Sequence, residues 1–279
     1  MSQISYDNNA KLYLIPTPIG NMDDITIRAI KTLEKVEVIF SEDTRVTGQL
    51  LEYLNIKNKK LISSHNFNEE KNKDKLLKYL NNGVDVGVVS DRGTPVISDP
   101  GYILARIAMD NGYNVIALPG PTALISALIV SGISPNTFCF YGFLSSKSSH
   151  QIKELENLKM YKHTLIFYES PHRILETLNN IKKVFGNRYI SISREISKKH
   201  EEIYRGNIDE VLTQLNNPKG EFVIVVEGSK EQINYDLLTI VEHVNMYIKE
   251  GNSVIDSIKK VAKARNIPKN DVYKEYHNL

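Results

Sequence analysis

The feature that most restricts this chain is an alternation of two hydrophobic periods. Short β-rich runs recur at Leu12–Ile15, Val36–Phe40, Val84–Val89, Asn114–Leu118, Thr137–Tyr141, Thr164–Tyr168, Tyr189–Ser193 and Phe222–Val226. Several are apolar without a break, as in Phe-Val-Ile-Val-Val at 222–226, the pattern of strands covered on both faces. Helical patterns lie between most of them. Ile27, Ile30 and Leu33 are spaced for one helix face, with Arg28, Lys31, Glu34 and Lys35 opposite. Ser170-Pro171 places a capping residue before a proline and opens a predicted helix through Ile174, Leu178 and Ile181 that stops at Gly186. Strands alternating with helices predict an α/β fold with mostly parallel sheets.

Two breaks divide this pattern. One lies near Leu118–Gly120, where a strand meets a Pro-Gly-Pro turn, and the other near Ser229–Tyr235. The expected organisation is an α/β domain over 1–118, a second over 119–230, and a helical extension over 231–279. In the extension Ile248, Val254, Ile255, Ile258 and Val261 stand at helical intervals, and turns at Gly251–Ser253 and Asn266–Pro268 cut it into short helices.

Composition removes several classes. Apolar residues make up 41% and charged ones 24% of 279 residues, which is globular rather than disordered. The net charge of +2 gives no general attraction for nucleic acid, so any such contact needs a local cluster. The one cysteine, Cys139, lies in an apolar run and is expected to be a buried, inert thiol. No metal site is drawn from it and the scattered histidines. Residues 1–9 are polar, and the apolar stretch Thr122–Val130 is too short for a bilayer. No membrane partner and a cytoplasmic location are expected.

The segments after the strands are more informative. The runs lead into Thr17-Pro-Ile-Gly-Asn21, Ser41-Glu-Asp-Thr-Arg45, Ser90-Asp-Arg-Gly-Thr-Pro95 with Ser98-Asp-Pro-Gly101, Pro119-Gly-Pro-Thr122, Gly142-Phe-Leu144, Glu169-Ser-Pro-His-Arg173 and Arg194-Glu-Ile-Ser-Lys198. Small and charged residues thus collect at the carboxyl ends of strands, where open α/β sheets bind ligands. Glycine lets backbone approach a ligand and proline fixes the turn. Neither a phosphate-binding Gly-x-x-x-x-Gly-Lys-[Ser/Thr] loop nor a Gly-x-Gly-x-x-Gly after the first strand is present.

Taken in order, these segments resemble the tetrapyrrole methylase superfamily, and within it the ribosomal small subunit methyltransferase I family of 16S rRNA (cytidine) 2′-O-methyltransferases. The resemblance rests on Thr17–Asn21, Glu42–Arg45, Gly93–Gly101, Pro119–Ala123, Ser131-Gly132, Gly142–Leu144, Tyr168–Arg173, Arg194–Lys198 with Glu201, and Gly220-Glu221, and runs from about Leu12 to Gly228. It implies a two-domain enzyme, usually a homodimer, that binds S-adenosylmethionine and acts on 16S rRNA or the 30S subunit. By position it implies cofactor contacts at Pro18, Gly20, Gly93, Thr94, Ile97, Thr122, Ala123, Tyr168, Gly220 and Glu221. This chain departs from the family at Arg92, usually Ala, and at Ser146, usually Pro.

Methyl transfer to a ribose hydroxyl needs alignment and a proton acceptor. Glu42, Asp43, Glu169 and Glu195 all stand at strand ends, with Glu169 preferred, although salt bridges or helix caps would account for each equally. Arg28, Arg45, Lys147, Arg173, Arg194 and Lys198 are the candidates for RNA phosphates, and Arg194-Glu195 also reads as an internal pair. Lys259, Lys260, Lys263, Arg265, Lys269 and Lys274 make the extension basic. His172 and His65 show no partner in the sequence. Two other readings compete: a superfamily methyltransferase acting on a corrin precursor or diphthamide intermediate, and an inactive ribosome-binding homologue.

Overall fold

Uninterrupted runs of β-branched residues become strands whose two faces are both covered. The computed structural model describes all residues except 1, 2, 4, 6, 8, 216, 217, 231–237, 250, 278 and 279. Among the described residues the chain divides into two compact units, Met1–Ser229 and Lys230–Leu279.

The first unit carries two five-stranded sheets. The first contains β1 (Lys11–Leu14), β2 (Val38–Ser41), β3 (Lys60–Ser63), β4 (Val86–Val89) and β5 (Asn114–Ala117), in the order β3-β2-β4-β1-β5. Every pairing in it is parallel. Helices α1 (Ile27–Lys35) and α2 (Thr44–Tyr53) pack Leu33 and Leu51 against Ile15, Ile39 and Val89. Helices α3 (Lys73–Asn81) and α4 (Tyr102–Asp110) pack Leu76, Leu80 and Leu104 against Leu12, Phe40, Val86 and Val88. Alternate residues of one strand thus enter different cores, as the strand period requires. In α1 the buried residues are Ala29, Thr32 and Leu33, whereas Ile27 is 72% exposed. The expected stripe through Ile27 is therefore displaced.

The second sheet contains β6 (Phe138–Phe143), β7 (Thr164–Glu169), β8 (Tyr189–Arg194), β9 (Glu202–Asn207) and β10 (Phe222–Val226), in the order β6-β7-β10-β8-β9. Only β6 and β7 run parallel; β7 with β10, β10 with β8 and β8 with β9 are antiparallel. This corrects the expectation of mostly parallel sheets for this half. Apolar runs report burial on two faces, and that burial is supplied here by helices on both sides of a mixed sheet. α5 (Ala123–Val130) packs Leu124, Ala127 and Leu128 on one face. The other face takes α6 (Ser148–Leu158), α7 (Ile174–Phe185) and α8 (Ile208–Gln214). The turn at Ser170 precedes α7 by one turn: the Ser170 carbonyl accepts from the N–H groups of Arg173 and Ile174 at 3.2 and 3.1 Å, and Gly186 ends the helix at φ +78°. Cys139 is partly buried against this core.

The sheets occupy residues on either side of the break expected at 118, yet both belong to the one compact unit. Part of the second expected break, 231–235, lies outside the described residues. The second unit is three helices, α9 (Ile240–Lys249), α10 (Val254–Arg265) and α11 (Lys269–His277), around Val244, Ile258, Val261, Ala262 and Val272. Val254 and Ile255 face solvent instead.

Candidate active site

Two loops at the carboxyl edge of the first sheet are stitched together. Thr17 and Gly93, just beyond β1 and β4, exchange backbone hydrogen bonds of 2.8 and 3.1 Å. Gly93 has φ +78°, and a Cβ there would meet Ile19 Cγ2 at 3.1 Å, so the turn is shaped for glycine. Gly120 lies so close to Pro16 that a Cβ would come within 2.4 Å of its ring. Beyond Gly93 the chain is strained: Val96 and Ser98 have φ of +80° and +66°, which is rare for any side chain and more so for a β-branched one. The buried Glu69 carboxylate fastens this loop by accepting from the N–H groups of Gly101 and Ile103, at the start of α4, where negative charge is favoured. Strain of this kind persists where neighbours over-determine the backbone, and it gathers at ligand clamps.

The antiparallel register brings a second set of loops to the same place. Phe222, the first residue of β10, stands between Glu169 and Arg194, the last residues of β7 and β8. Glu221 therefore reaches the same edge although it precedes its strand. Together the two sets wall a cavity of about 270 Å³, lined by Gly93, Thr94, Ile97, Thr122, Ala123, Tyr168 and Glu221 with Ile19, Asp99, Phe143, Ile196 and Val223. Pro18 and Gly20 line a neighbouring cavity of about 380 Å³ with Tyr53 and Lys198, and Arg92 borders both. Gly220 lines neither. The Tyr168 hydroxyl accepts from Leu124 N–H at 3.2 Å, and its ring stands edge-on to Phe140 and Phe143 at 4.9 and 5.6 Å. Thr94 Oγ1 donates to the Pro121 carbonyl at 2.9 Å.

The chain matches the family profile Tetrapyrrole (Corrin/Porphyrin) Methylases over residues 11–212. It is 45% identical to the Ribosomal RNA small subunit methyltransferase I of Bacillus subtilis (strain 168), over 95% of this chain and 94% of that one. The protein of the same name from Halalkalibacterium halodurans is 42% identical, over 97% and 96% of the two chains. The chain belongs to this family of tetrapyrrole methylases. Among solved structures, the methyltransferase CobJ shares its fold with a TM-score of 0.60 at 18% identity, covering 81% of this chain and 98% of that one. A Thermus thermophilus uroporphyrin-III C-methyltransferase solved with S-adenosyl homocysteine has a TM-score of 0.56 at 15% identity, covering 77% and 97%.

For a tetrapyrrole methylase the cavity is chemically suited to S-adenosylmethionine. Ile19, Ile97, Phe143, Ile196 and Val223 give apolar walls for a nucleoside, Thr94 and Thr122 bring hydroxyls, and Asp99 and Glu221 bring negative charge toward a cationic donor. A side chain on Gly93 would narrow the cradle.

The candidate acids fare unequally. Glu169 is buried, and its oxygens accept from Ser170 N–H at 2.7 Å, Thr177 Oγ1 at 2.6 Å and Arg173 Nη2 at 2.8 Å. Asp43 caps α2 and grips Arg45, whose guanidinium holds its carboxyl down at about 2. Burial works against the Glu195 carboxylate, but Lys198 at 2.8 Å and the Glu221 N–H leave it below the usual range. Among the described residues Glu42 accepts only from Asp91 N–H at 3.3 Å, and burial raises it.

Among the RNA candidates, Arg45, Arg173, Arg194 and Lys198 are ion-paired, with Asp43, Glu169, Glu202, and Glu195 plus Glu221 respectively. Arg194 and Glu195 do not pair with each other. Arg28 and Lys147 are exposed with no side-chain ion pair among the described residues. His172 is exposed, and His65 has a buried Nδ1 without a hydrogen bond. Asp99, Phe143, Ile196 and Glu69 join the site without having been singled out by the sequence. Asp99 was visible in Ser98-Asp-Pro-Gly101, but nothing in the spacing distinguishes an acid facing a cavity from one capping a turn.

Proposed function

We propose that this chain transfers a methyl group from S-adenosylmethionine to the ribose 2′-hydroxyl of a cytidine in 16S ribosomal RNA, as free RNA or within the 30S subunit. The reading rests on 45% identity, over nearly the whole chain, to a relative named for methylating small-subunit ribosomal RNA. S-adenosylmethionine, when bound, supplies an electrophilic methyl group on a sulfonium. The protein's own part is to hold donor and acceptor in line and to exclude water, which lowers the entropy cost of reaction. Gly93, Thr94 and Thr122 offer backbone and hydroxyl groups, while Ile97, Phe143 and Tyr168 give the cavity apolar walls.

Of the RNA candidates, Arg28 and Lys147 are exposed and have no ion pair to give up among the described residues, and Lys263, Lys269 and Lys274 are exposed on the second unit. The paired arginines would serve RNA only by exchanging a carboxylate for a phosphate. A homodimer is supported by α5, which is apolar on nearly every side yet leaves Ile125 and Ile129 at 40% and 71% exposure; an all-round apolar helix is normally covered. Among the described residues no helix is long and apolar enough to cross a membrane, and a ribosomal substrate would put the enzyme in the cytoplasm.

The test is transfer from labelled S-adenosylmethionine to 30S subunits lacking the modification, with the labelled nucleotide mapped. Label on a cytidine ribose supports the reading. Donor binding without transfer to RNA overturns the substrate, and neither binding nor transfer overturns the enzyme.

A further inference from the structure

Three carboxylates line the 270 Å³ cavity: Asp99, Glu169 and Glu221. Glu169 is occupied by Arg173, Thr177 and the Ser170 N–H. Glu221 is held by Arg92 and Lys198, each at 2.8 Å. Asp99 is different. Its side chain has no hydrogen-bond or ion-pair partner among the described residues, although an unpaired charge in a largely apolar recess is costly. It is also carried on the most strained loop of the site, between Ser98 at φ +66° and Gly101 at φ +122°, which Glu69 pins from behind. Backbone strain at an unsatisfied acid facing a ligand cavity is the combination expected of a group placed for chemistry.

We propose that Asp99 is the proton acceptor of the methyl transfer, taking the hydroxyl proton of the acceptor at the mouth of the cavity. The proposal rests on the RNA reading above. As the ribose oxygen forms its new C–O bond, the S–CH3 bond breaks with its electron pair left on sulfur as a neutral thioether. The hydroxyl proton passes to Asp99, which becomes a neutral carboxylic acid and later returns the proton to water. The charge lost by the sulfonium and by the carboxylate balances.

The surroundings suit a base rather than a permanent anion. Burial first, then the negative charges of Glu42 at the end of β2, Asp91 at the end of β4 and Glu221 before β10, raise the Asp99 carboxyl to about 7. The Tyr168 phenol on β7 also faces it, its own proton held more tightly by burial and by the Asp99 charge. Arg92, the cation that lines the cavity, is spent on Glu221. His65, which acts on Glu42, shares that corner through its unpartnered Nδ1. A base matched to the working pH is the most effective one.

The experiment compares wild-type protein with Asp99→Asn, measuring single-turnover transfer to unmodified 30S subunits across pH, and binding of S-adenosylhomocysteine by calorimetry. Infrared difference spectra of the carboxylic-acid band give a readout independent of turnover. Wild-type turnover should rise with pH and level off near the Asp99 titration. Asp99→Asn should lower it about 10²–10⁴-fold, lose that pH limb and the titrating band, and bind S-adenosylhomocysteine within about threefold of wild type. Near-wild-type turnover in Asp99→Asn overturns the proposal, as does a loss of turnover matched by an equal loss of binding, which would make Asp99 a cofactor ligand. A wild-type enzyme that binds S-adenosylhomocysteine but labels no ribose overturns the RNA reading, and the proposal with it.

Discussion

The two walls of the cavity are built on opposite electrostatic plans. On the second-sheet wall both carboxylates that line the cavity are answered among the described residues: Glu169 by Arg173, and Glu221 by Arg92 and Lys198. On the first-sheet wall Asp99 has no partner among the described residues, and Glu42, whose charge acts on Asp99, has one weak backbone donor among them. One wall therefore spends its carboxylates on rigidity, and the other leaves them to meet a ligand. The sharpest attack on this contrast is at Glu169. Glu169→Ala strands Arg173, whose side chain is 25% exposed, and should cost about 3–5 kcal/mol in urea unfolding, the range for breaking a buried pair. Glu169→Gln, which keeps part of the hydrogen bonding, should leave turnover per folded molecule within several-fold. A hundredfold loss with full stability would return the proton-accepting role to Glu169 and erase the contrast.

The first wall is tested next at its glycine. Gly93→Ala forces alanine into φ +78° against Ile19 Cγ2 at 3.1 Å. The left-handed backbone alone costs about 1–2 kcal/mol, and S-adenosylhomocysteine affinity measured by calorimetry should fall about tenfold. Unchanged affinity would show that this turn does not shape the cradle.

Asp99 should also leave a mark on stability that Glu169 does not. Its folded value of about 7 lies above the ordinary 3.8. Between those values the unfolded chain has released its proton while the folded protein retains it, so stability falls as pH rises from about 4 to 7 and is level above. Asp99→Asn removes that slope. Discounted for partial solvent screening, the variant should be more stable than wild type by about 1–2 kcal/mol at pH 8 and equal to it below pH 4. A wild-type curve parallel to the variant's across this range would mean that Asp99 titrates normally.

The same contrast explains what could be read from the sequence. Burial is written in residue type, so the strands with continuous apolar runs were legible, and so were the loops that come after them. β3 and β9 were not, and both are edge strands. Lys60–Ser63 and Glu202–Asn207 are partly exposed and, unlike the edge strands β5 and β6, lack a continuous apolar run. Strand direction was also invisible: Phe-Val-Ile-Val-Val reads alike whether β10 runs with its neighbours or against them. Gly93, Thr94, Ile97, Thr122, Ala123, Tyr168 and Glu221, expected from motif order, all line one cavity. Which acid is satisfied depends on how strand, turn and helix bring its neighbours back to it, as Ser170, Arg173 and Thr177 return to Glu169, and spacing alone does not record that. Glu169, ending β7, and Asp99, in a loop, are each an acid beside serine; only the fold assigns Thr177 and Arg173 to one of them and, among the described residues, no partner to the other.

The smallest effect is expected where the walls meet. Arg92, at a position the family resemblance expects to be Ala, crosses from the first-sheet loop to Glu221 at 2.8 Å, but the two side chains are 55% and 64% exposed. Pairs this open contribute about 0–1 kcal/mol, and Glu221 keeps Lys198 at 2.8 Å when the arginine is gone. Arg92→Ala should therefore lower unfolding stability by less than about 1 kcal/mol. A double-mutant cycle with Glu221→Gln should give a coupling that shrinks with added salt, as screened surface charges do. Because Arg92 borders both cavities, its loss opens the partition between them and should weaken RNA binding more than donor binding. A coupling above about 2 kcal/mol that ignores salt would mean the pair is desolvated in solution, and the first wall would then be as firmly neutralised at its rim as the second is at Glu169.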